Sequence, residues 1–139
     1  MNQGSCGSCW SFGTSEFASD RLCIASGGKV DHVLSPQFLV DCDDEIYPES
    51  GETGGCNGAM TQVVVDWISA NGIVTDSCYP YFSGTTKDVG ECRSTCVNEE
   101  KFQKYYFDSP LHFNWKVEQY PVDNLIRELH DNGPFYFSM

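Results

Sequence analysis

The stretch Cys6-Gly7-Ser8-Cys9-Trp10 constrains this chain more than any other. A cysteine pair enclosing glycine and serine, followed by tryptophan and Ser11-Phe12, leaves few roles for the two sulfurs. Cys9 opens a run that reads as a helix. A helix N-terminus favours a thiolate, because its free N–H groups and dipole stabilise negative charge. The thiolate is the nucleophilic form of cysteine, so Cys9 is the candidate nucleophile. Cys6 lies in the loop before the helix and is better placed for a structural bridge. Two other readings of Cys6-x-x-Cys9 exist. A thioredoxin-like redox pair needs a surrounding βαβ pattern, and a zinc half-site needs a second Cys/His pair at finger-like spacing. Neither accompanies it, and no metal or cofactor is expected.

Eight cysteines in 139 residues point to an oxidising compartment. The length suits one modest domain with its own core. A net charge of −12 would repel the phosphates of nucleic acid, and reads as a solvated acidic surface. No run of about 18 apolar residues is present, so no membrane partner is expected. The polar start is no signal peptide, although a bridged protein of a secretory compartment should have one. The expectation is a chain that begins late.

In chain order, Cys9 to about Ser26 reads as a helix, apolar over much of its circumference and therefore central, with Gly27-Gly28 as its stop. Ser35 as cap and Pro36 at the first position start a second helix, which runs to about Cys42. Asp43 to Gly55 is acidic and turn-rich and reads as a solvated loop. It lacks the spacing of a calcium-binding EF-hand. A third helix covers about Thr61 to Ala70, with Val63, Val64, Trp67 and Ile68 on its apolar face and Gly72 as stop. Tyr105-Tyr106-Phe107 reads as a strand. Pro121 to His130 reads as an amphipathic helix with Val122, Leu125, Ile126 and Leu129 on one face, ended by Gly133-Pro134. Phe135-Tyr136-Phe137 reads as the start of another strand.

Asn2-Gln3-Gly4-Ser5-Cys6-Gly7-Ser8-Cys9-Trp10 resembles the active-site stretch of papain-family cysteine proteases. Leu34 to Cys42 resembles the family's second conserved helix, and Gly55-Cys56-Asn57-Gly58-Ala59 its glycine-rich segment beside the cleft. The paired cysteines of Glu91-Cys92-Arg93-Ser94-Thr95-Cys96 resemble the cathepsin B branch. The resemblance implies an α+β, papain-like fold. Residues 1–110 would form mainly its helical domain, and residues 111–139 the incomplete start of its β-rich domain.

The same resemblance implies a cysteine-type endopeptidase that hydrolyses peptide bonds through an acyl-enzyme on Cys9. Gln3 and the Cys9 backbone N–H would form the oxyanion hole. Substrate binding would fall to Gly7, Trp10, Asn57, Gly58, Ala59 and Met60, with Thr61 bordering the pocket. Ala59 stands where the family has a second glycine, so its methyl group would narrow the cleft or strain a positive φ. Eight cysteines allow on the order of 100 full pairings. The resemblance selects Cys6–Cys56, Cys42–Cys92 and Cys78–Cys96, and leaves Cys23 over. Implied partners are peptide or protein substrates, a propeptide and cystatin-type inhibitors. The implied location is lysosomal, vacuolar or secreted.

The catalytic histidine of the family lies about 130–150 residues after the cysteine. His32, His112 and His130 come too early and receive no catalytic role. The orienting asparagine is missing for the same reason. The chain is therefore expected to be the helical half of a two-domain protease, inactive by itself. With no histidine between Cys78 and Cys92, the cap of cathepsin B is not expected either. A rival reading is a truncated, non-catalytic paralogue that binds a propeptide or inhibitor.

Overall fold

The structure, a computed structural model, describes residues 2–48, 54–108 and 122–136. Its first long element is α1, Cys9–Ala25, a helix of 17 residues. The sequence suggests an apolar cylinder, and the structure differs. Only the N-terminal half is buried, through Trp10, Ser11, Phe12, Thr14, Ser15 and Ala18. The buried hydroxyls are satisfied inside the helix. Ser11 donates to the Ser8 carbonyl (2.9 Å), Thr14 to that of Trp10 (2.8 Å) and Ser15 to that of Phe12 (3.1 Å). Such back-bonding lets small polar side chains enter a core without an unmet hydrogen bond. The helix leaves this core after Ala18, and Ile24 is exposed.

Helix α2, Pro36–Asp41, packs on α1 and is buried along its whole length. Ser35 caps it by accepting from the Phe38 N–H (2.9 Å), while its own hydroxyl donates to the Tyr79 carbonyl (2.6 Å). Phe38 is the centre of an aromatic cluster, with ring centroids of Trp67, Tyr79 and Phe102 at 5.9, 5.5 and 6.0 Å. Helix α3, Asp43–Ile46, occupies ground that reads as loop in the sequence. Asp43, Asp44 and Glu45 in its first turn suit the positive end of the helix dipole, and buried Ile46 anchors it. Residues 49–53 of the same acidic segment lie outside the described residues. Helix α4, Thr61–Asn71, buries Val64 and Ile68 and ends at Gly72, whose φ of 76° only glycine adopts readily. The short helix α5, Ser83–Thr86, follows.

Extended pairing among the described residues is confined to isolated bridges. The strand expected over Tyr105 to Phe107 contracts to one antiparallel bridge, in which Ile73 and Tyr105 exchange N–H···O bonds of 2.9 and 2.8 Å. Tyr106 is exposed instead of paired.

Helix α6, Val122–Asn132, has the expected amphipathic pattern. Its apolar side is nevertheless uncovered, with Val122 68%, Ile126 60% and Leu129 53% exposed. The helix is held through polar contacts with α1: Arg21 donates to Glu128 (2.8 Å) and to the Pro134 carbonyl (2.7 Å). The chain then runs back along α1, where the Tyr136 ring lies against Gly13. Phe135 and Tyr136 form no strand, and Phe137 lies outside the described residues. So do Pro121, His112 and the boundary expected between residues 110 and 111.

Candidate active site

Cys9 is exposed, carries a free thiol and is the first residue of α1. Ser8 precedes it at the N-cap, where serine ordinarily accepts from the second or third helical N–H. Here it makes no side-chain cap. Its buried hydroxyl turns to the Tyr81 hydroxyl at 2.6 Å. Among the described residues the Cys9 backbone N–H has no hydrogen-bond partner. The candidate nucleophile and an open donor therefore share the positive end of a long helix, an arrangement that favours negative charge.

Gln3 lies on the same loop. Its side-chain Nε2 donates to the Cys6 carbonyl at 2.7 Å. A primary amide carries two hydrogens, so one remains for a second acceptor. The loop from Gln3 to Cys9 is clamped on two sides. On one side Gly7 bridges Asn57 in parallel: the Gly7 N–H donates to Cys56 O (2.9 Å), and the Gly58 N–H donates to Gly7 O (3.1 Å). The Cys6–Cys56 disulfide closes the same contact, with Cα atoms 4.6 Å apart. A Cβ on Gly7 would come within 2.3 Å of the Cys56 carbonyl oxygen, so glycine is required for this approach. On the other side the Ser5 N–H donates to Gly84 O (2.9 Å), and the Tyr81 hydroxyl donates to Gln3 O (3.0 Å).

The residues expected to bind substrate divide into two groups. Both backbone polar groups of Gly7 are spent on the Cys56–Gly58 segment. Trp10 is 1% exposed; its indole N–H donates to Gly55 O (3.1 Å), and its ring meets Tyr47 edge-on. Both position the loop. Gly58 is likewise occupied, its N–H by Gly7 O and its carbonyl by the Gly54 N–H (2.8 Å). The Asn57 N–H donates to Gly54 O (2.9 Å), and the residue is exposed. Ala59 is different, because neither its N–H nor its C=O has a partner among the described residues. Positive-φ residues other than glycine are Lys87 and Glu99 among the described residues, so Ala59 carries no left-handed strain, and of the two expected effects of its methyl group the strain is ruled out. Met60 is 65% exposed, and its carbonyl accepts from the Tyr47 hydroxyl (2.5 Å). Burial pushes the Tyr47 phenol up to about 12, so it stays a donor at any physiological pH.

Two further disulfides, Cys42–Cys92 and Cys78–Cys96, tie the segment from Tyr79 onward to the helical core. Cys23 is free and half-buried. The described histidines make their contacts away from Cys9. His32 lies 5.7 Å from the Tyr105 ring, and exposed His130 pairs with Asp131 (2.8 Å).

Sequence reasoning missed several residues that shape this site. Gln37, buried within the apolar run of α2, donates to Asp41 (2.6 Å) and Ser83 (2.7 Å) and accepts from the Phe82 and Ser83 N–H groups. It fixes the start of α5 and thereby Gly84. No local signal marks it. Tyr81 had one, since it closes the short Cys78-Tyr79-Pro80-Tyr81 motif.

Comparison with known proteins gives a consistent result. The family model described as papain family cysteine protease matches residues 1–139. Cathepsin B-like CP2 of Giardia intestinalis is 37% identical over 98 residues, which cover 70% of this chain and 30% of that protein. Cathepsin B of Dictyostelium discoideum is 30% identical over 142 residues, covering 96% of this chain and 43% of that protein. Among solved structures, proCathepsin B S9 from Trypanosoma congolense superposes with a TM-score of 0.73 at 26% identity, over 96% of this chain and 43% of that one. The chain thus spans less than half the length of these relatives.

Proposed function

From the premise that the chain belongs to the papain family of cysteine proteases, we propose that it supplies the nucleophile and one cleft wall of a cysteine-type endopeptidase. One observation carries the proposal: a free, exposed thiol stands at the uncapped N-terminus of α1 beside an open backbone N–H. In this reading the Cys9 thiolate attacks the scissile carbonyl carbon. The carbonyl oxygen gains negative charge, and the Cys9 N–H and the second Gln3 amide hydrogen receive it. Such donors act where charge develops in the transition state, which is where binding accelerates a reaction. The C–N bond then breaks as the amine takes a proton from the histidine that the family resemblance implies, and water cleaves the resulting thioester, releasing the carboxylic acid and restoring the thiol.

An extended substrate backbone would pair with the free N–H and C=O of Ala59, with Met60 bordering its side-chain pocket. Gly7, Trp10, Asn57 and Gly58 would hold that edge in place. No histidine lies between Cys78 and Cys92 to form the cap of the cathepsin B branch, which favours an endopeptidase over an enzyme that trims chain ends. A propeptide or a cystatin-type inhibitor would occupy the same edge; the Trypanosoma congolense neighbour is itself a proform. Disulfide bonding fits a lysosomal, vacuolar or secreted setting. No helix among the described residues is long and apolar enough to cross a membrane.

Neither His32 nor His130 contacts Cys9, so the 139-residue chain alone is expected to lack peptidase activity. That observation also supports the second reading, a non-catalytic paralogue that binds a propeptide or inhibitor. The protein expressed from its whole gene separates the two. The expected result is hydrolysis of a fluorogenic peptide amide that disappears in Cys9→Ala and after alkylation of Cys9 by iodoacetamide. Hydrolysis that survives both would refute the assignment of Cys9. No hydrolysis in the unmodified protein, with retained inhibitor binding, would favour the second reading.

A further inference from the structure

The Tyr81 hydroxyl joins two parts of the loop that are otherwise unconnected. It has one hydrogen, and Gln3 O, at 3.0 Å, can only accept it. The 2.6 Å contact with Ser8 therefore runs the other way, with the Ser8 hydroxyl donating to the Tyr81 oxygen. A directed chain results, from Ser8 through Tyr81 to the backbone of Gln3. The ring that carries it is held edge-on to Phe12 of α1, at 4.7 Å between centroids. Two consequences follow. The carbonyl of Gln3 is pinned, which fixes the point from which its side chain reaches the Cys6 carbonyl, three residues before Cys9. Buried Ser8 is also kept from swinging onto the start of α1, where a serine oxygen would ordinarily accept from the helix N–H groups.

We propose that Tyr81 is a positioning residue for the oxyanion site: it sets the placement of the Gln3 amide relative to the Cys9 N–H and keeps the Ser8 hydroxyl off the N-terminus of α1. The inference rests on the protease reading given above, since an oxyanion site matters only to acyl transfer. Misplacing a preorganised donor by about 1 Å lowers a rate by about 100-fold or less, and the loss falls on the transition state more than on substrate binding.

The experiment compares Tyr81→Phe, Ser8→Ala and the double variant in the protein expressed from its whole gene. Tyr81→Phe should lower kcat on a peptide amide about 10- to 100-fold with KM almost unchanged. Alkylation of Cys9 by iodoacetamide, which develops no carbonyl oxyanion, should change by no more than about twofold to threefold. The two single variants break the same chain, so the double variant should be no worse than Tyr81→Phe. Order parameters of the Gln3 side-chain amide, read by NMR, should fall in Tyr81→Phe. Unchanged kcat, or kcat and alkylation falling together as in a general loss of folding, would overturn the inference. If the unmodified protein hydrolyses no peptide, the protease reading fails, and the Gln3 amide alone then decides the role of Tyr81. A fall in its order upholds the positioning role, and unchanged order removes it.

Discussion

Trp10 stands next to Cys9, the proposed nucleophile, yet its side chain faces the core. Its indole N–H is spent on the Gly55 carbonyl and its ring on Tyr47. Trp10→Phe keeps most of the apolar volume and removes the donor, so the buried Gly55 carbonyl loses its partner. Urea unfolding should show a loss of about 1–3 kcal/mol. An unchanged midpoint would mean that water replaces the indole N–H. Asp43 gives a prediction in pH. Its carboxyl is raised, first by burial and then by the charge of Asp44. A carboxyl with a raised folded pKa contributes stability below its unfolded value, and loses it as pH rises through the folded value. At neutral pH Asp43 therefore opposes folding, and Asp43→Asn should raise the melting temperature. That gain should shrink on acidification toward the ordinary carboxylate range. A gain that grows in acid would reverse the sign and discard the account.

At the scale of elements, α1 is the common support of the site. It meets α2 and α4 through its buried half and α6 through Arg21. Gly13 lies in that half, where a Cβ would come within 2.1 Å of the Tyr136 ring. Alanine suits a helix interior better than glycine by about 1 kcal/mol. Gly13→Ala should therefore strengthen α1 locally while driving the Tyr136 ring off its surface. Hydrogen exchange would register the outcome as unchanged or slower exchange along α1 and faster exchange over residues 133–136. Retained protection of both would show that the ring has another resting place. The hydrophobic period of α6 was legible, but its docking was not. A period defines an apolar face, and whether another element covers that face depends on residues far away in the chain.

At the scale of the molecule, the disulfides do much of the work that a larger core would do. The Cys6–Cys56 bridge spans a sequence separation of 50. The loop-entropy model assigns such a bridge roughly 4 kcal/mol. Against a typical domain stability of about 5–15 kcal/mol, Cys6→Ser should abolish or nearly abolish soluble folding. Cys23 is free and half-buried, and Cys23→Ser should have little effect. Comparing soluble yield and non-reducing peptide maps of the two variants tests both statements. A soluble Cys6→Ser chain with an unshifted melting temperature would contradict the first.

What the sequence by itself determined about this protein is what neighbouring residues decide among themselves. The start of α1 at Cys9, the Ser35-Pro36 cap and the Gly72 stop all depend on preferences acting over a turn or less. The family resemblance rests on such local stretches too. The tertiary structure alone decided which groups at the site remain free. Trp10 reaches Gly55 across 45 positions, Ser8 reaches Tyr81 across 73 and Tyr81 reaches Gln3 across 78. These contacts, together with the pairing of Gly7 to the Cys56–Gly58 segment, consume Gly7, Trp10 and Gly58, and leave the Cys9 N–H and the Ala59 backbone open. A buried polar group must find a partner, and which partner it finds depends on the packing of segments whose mutual approach no local pattern encodes.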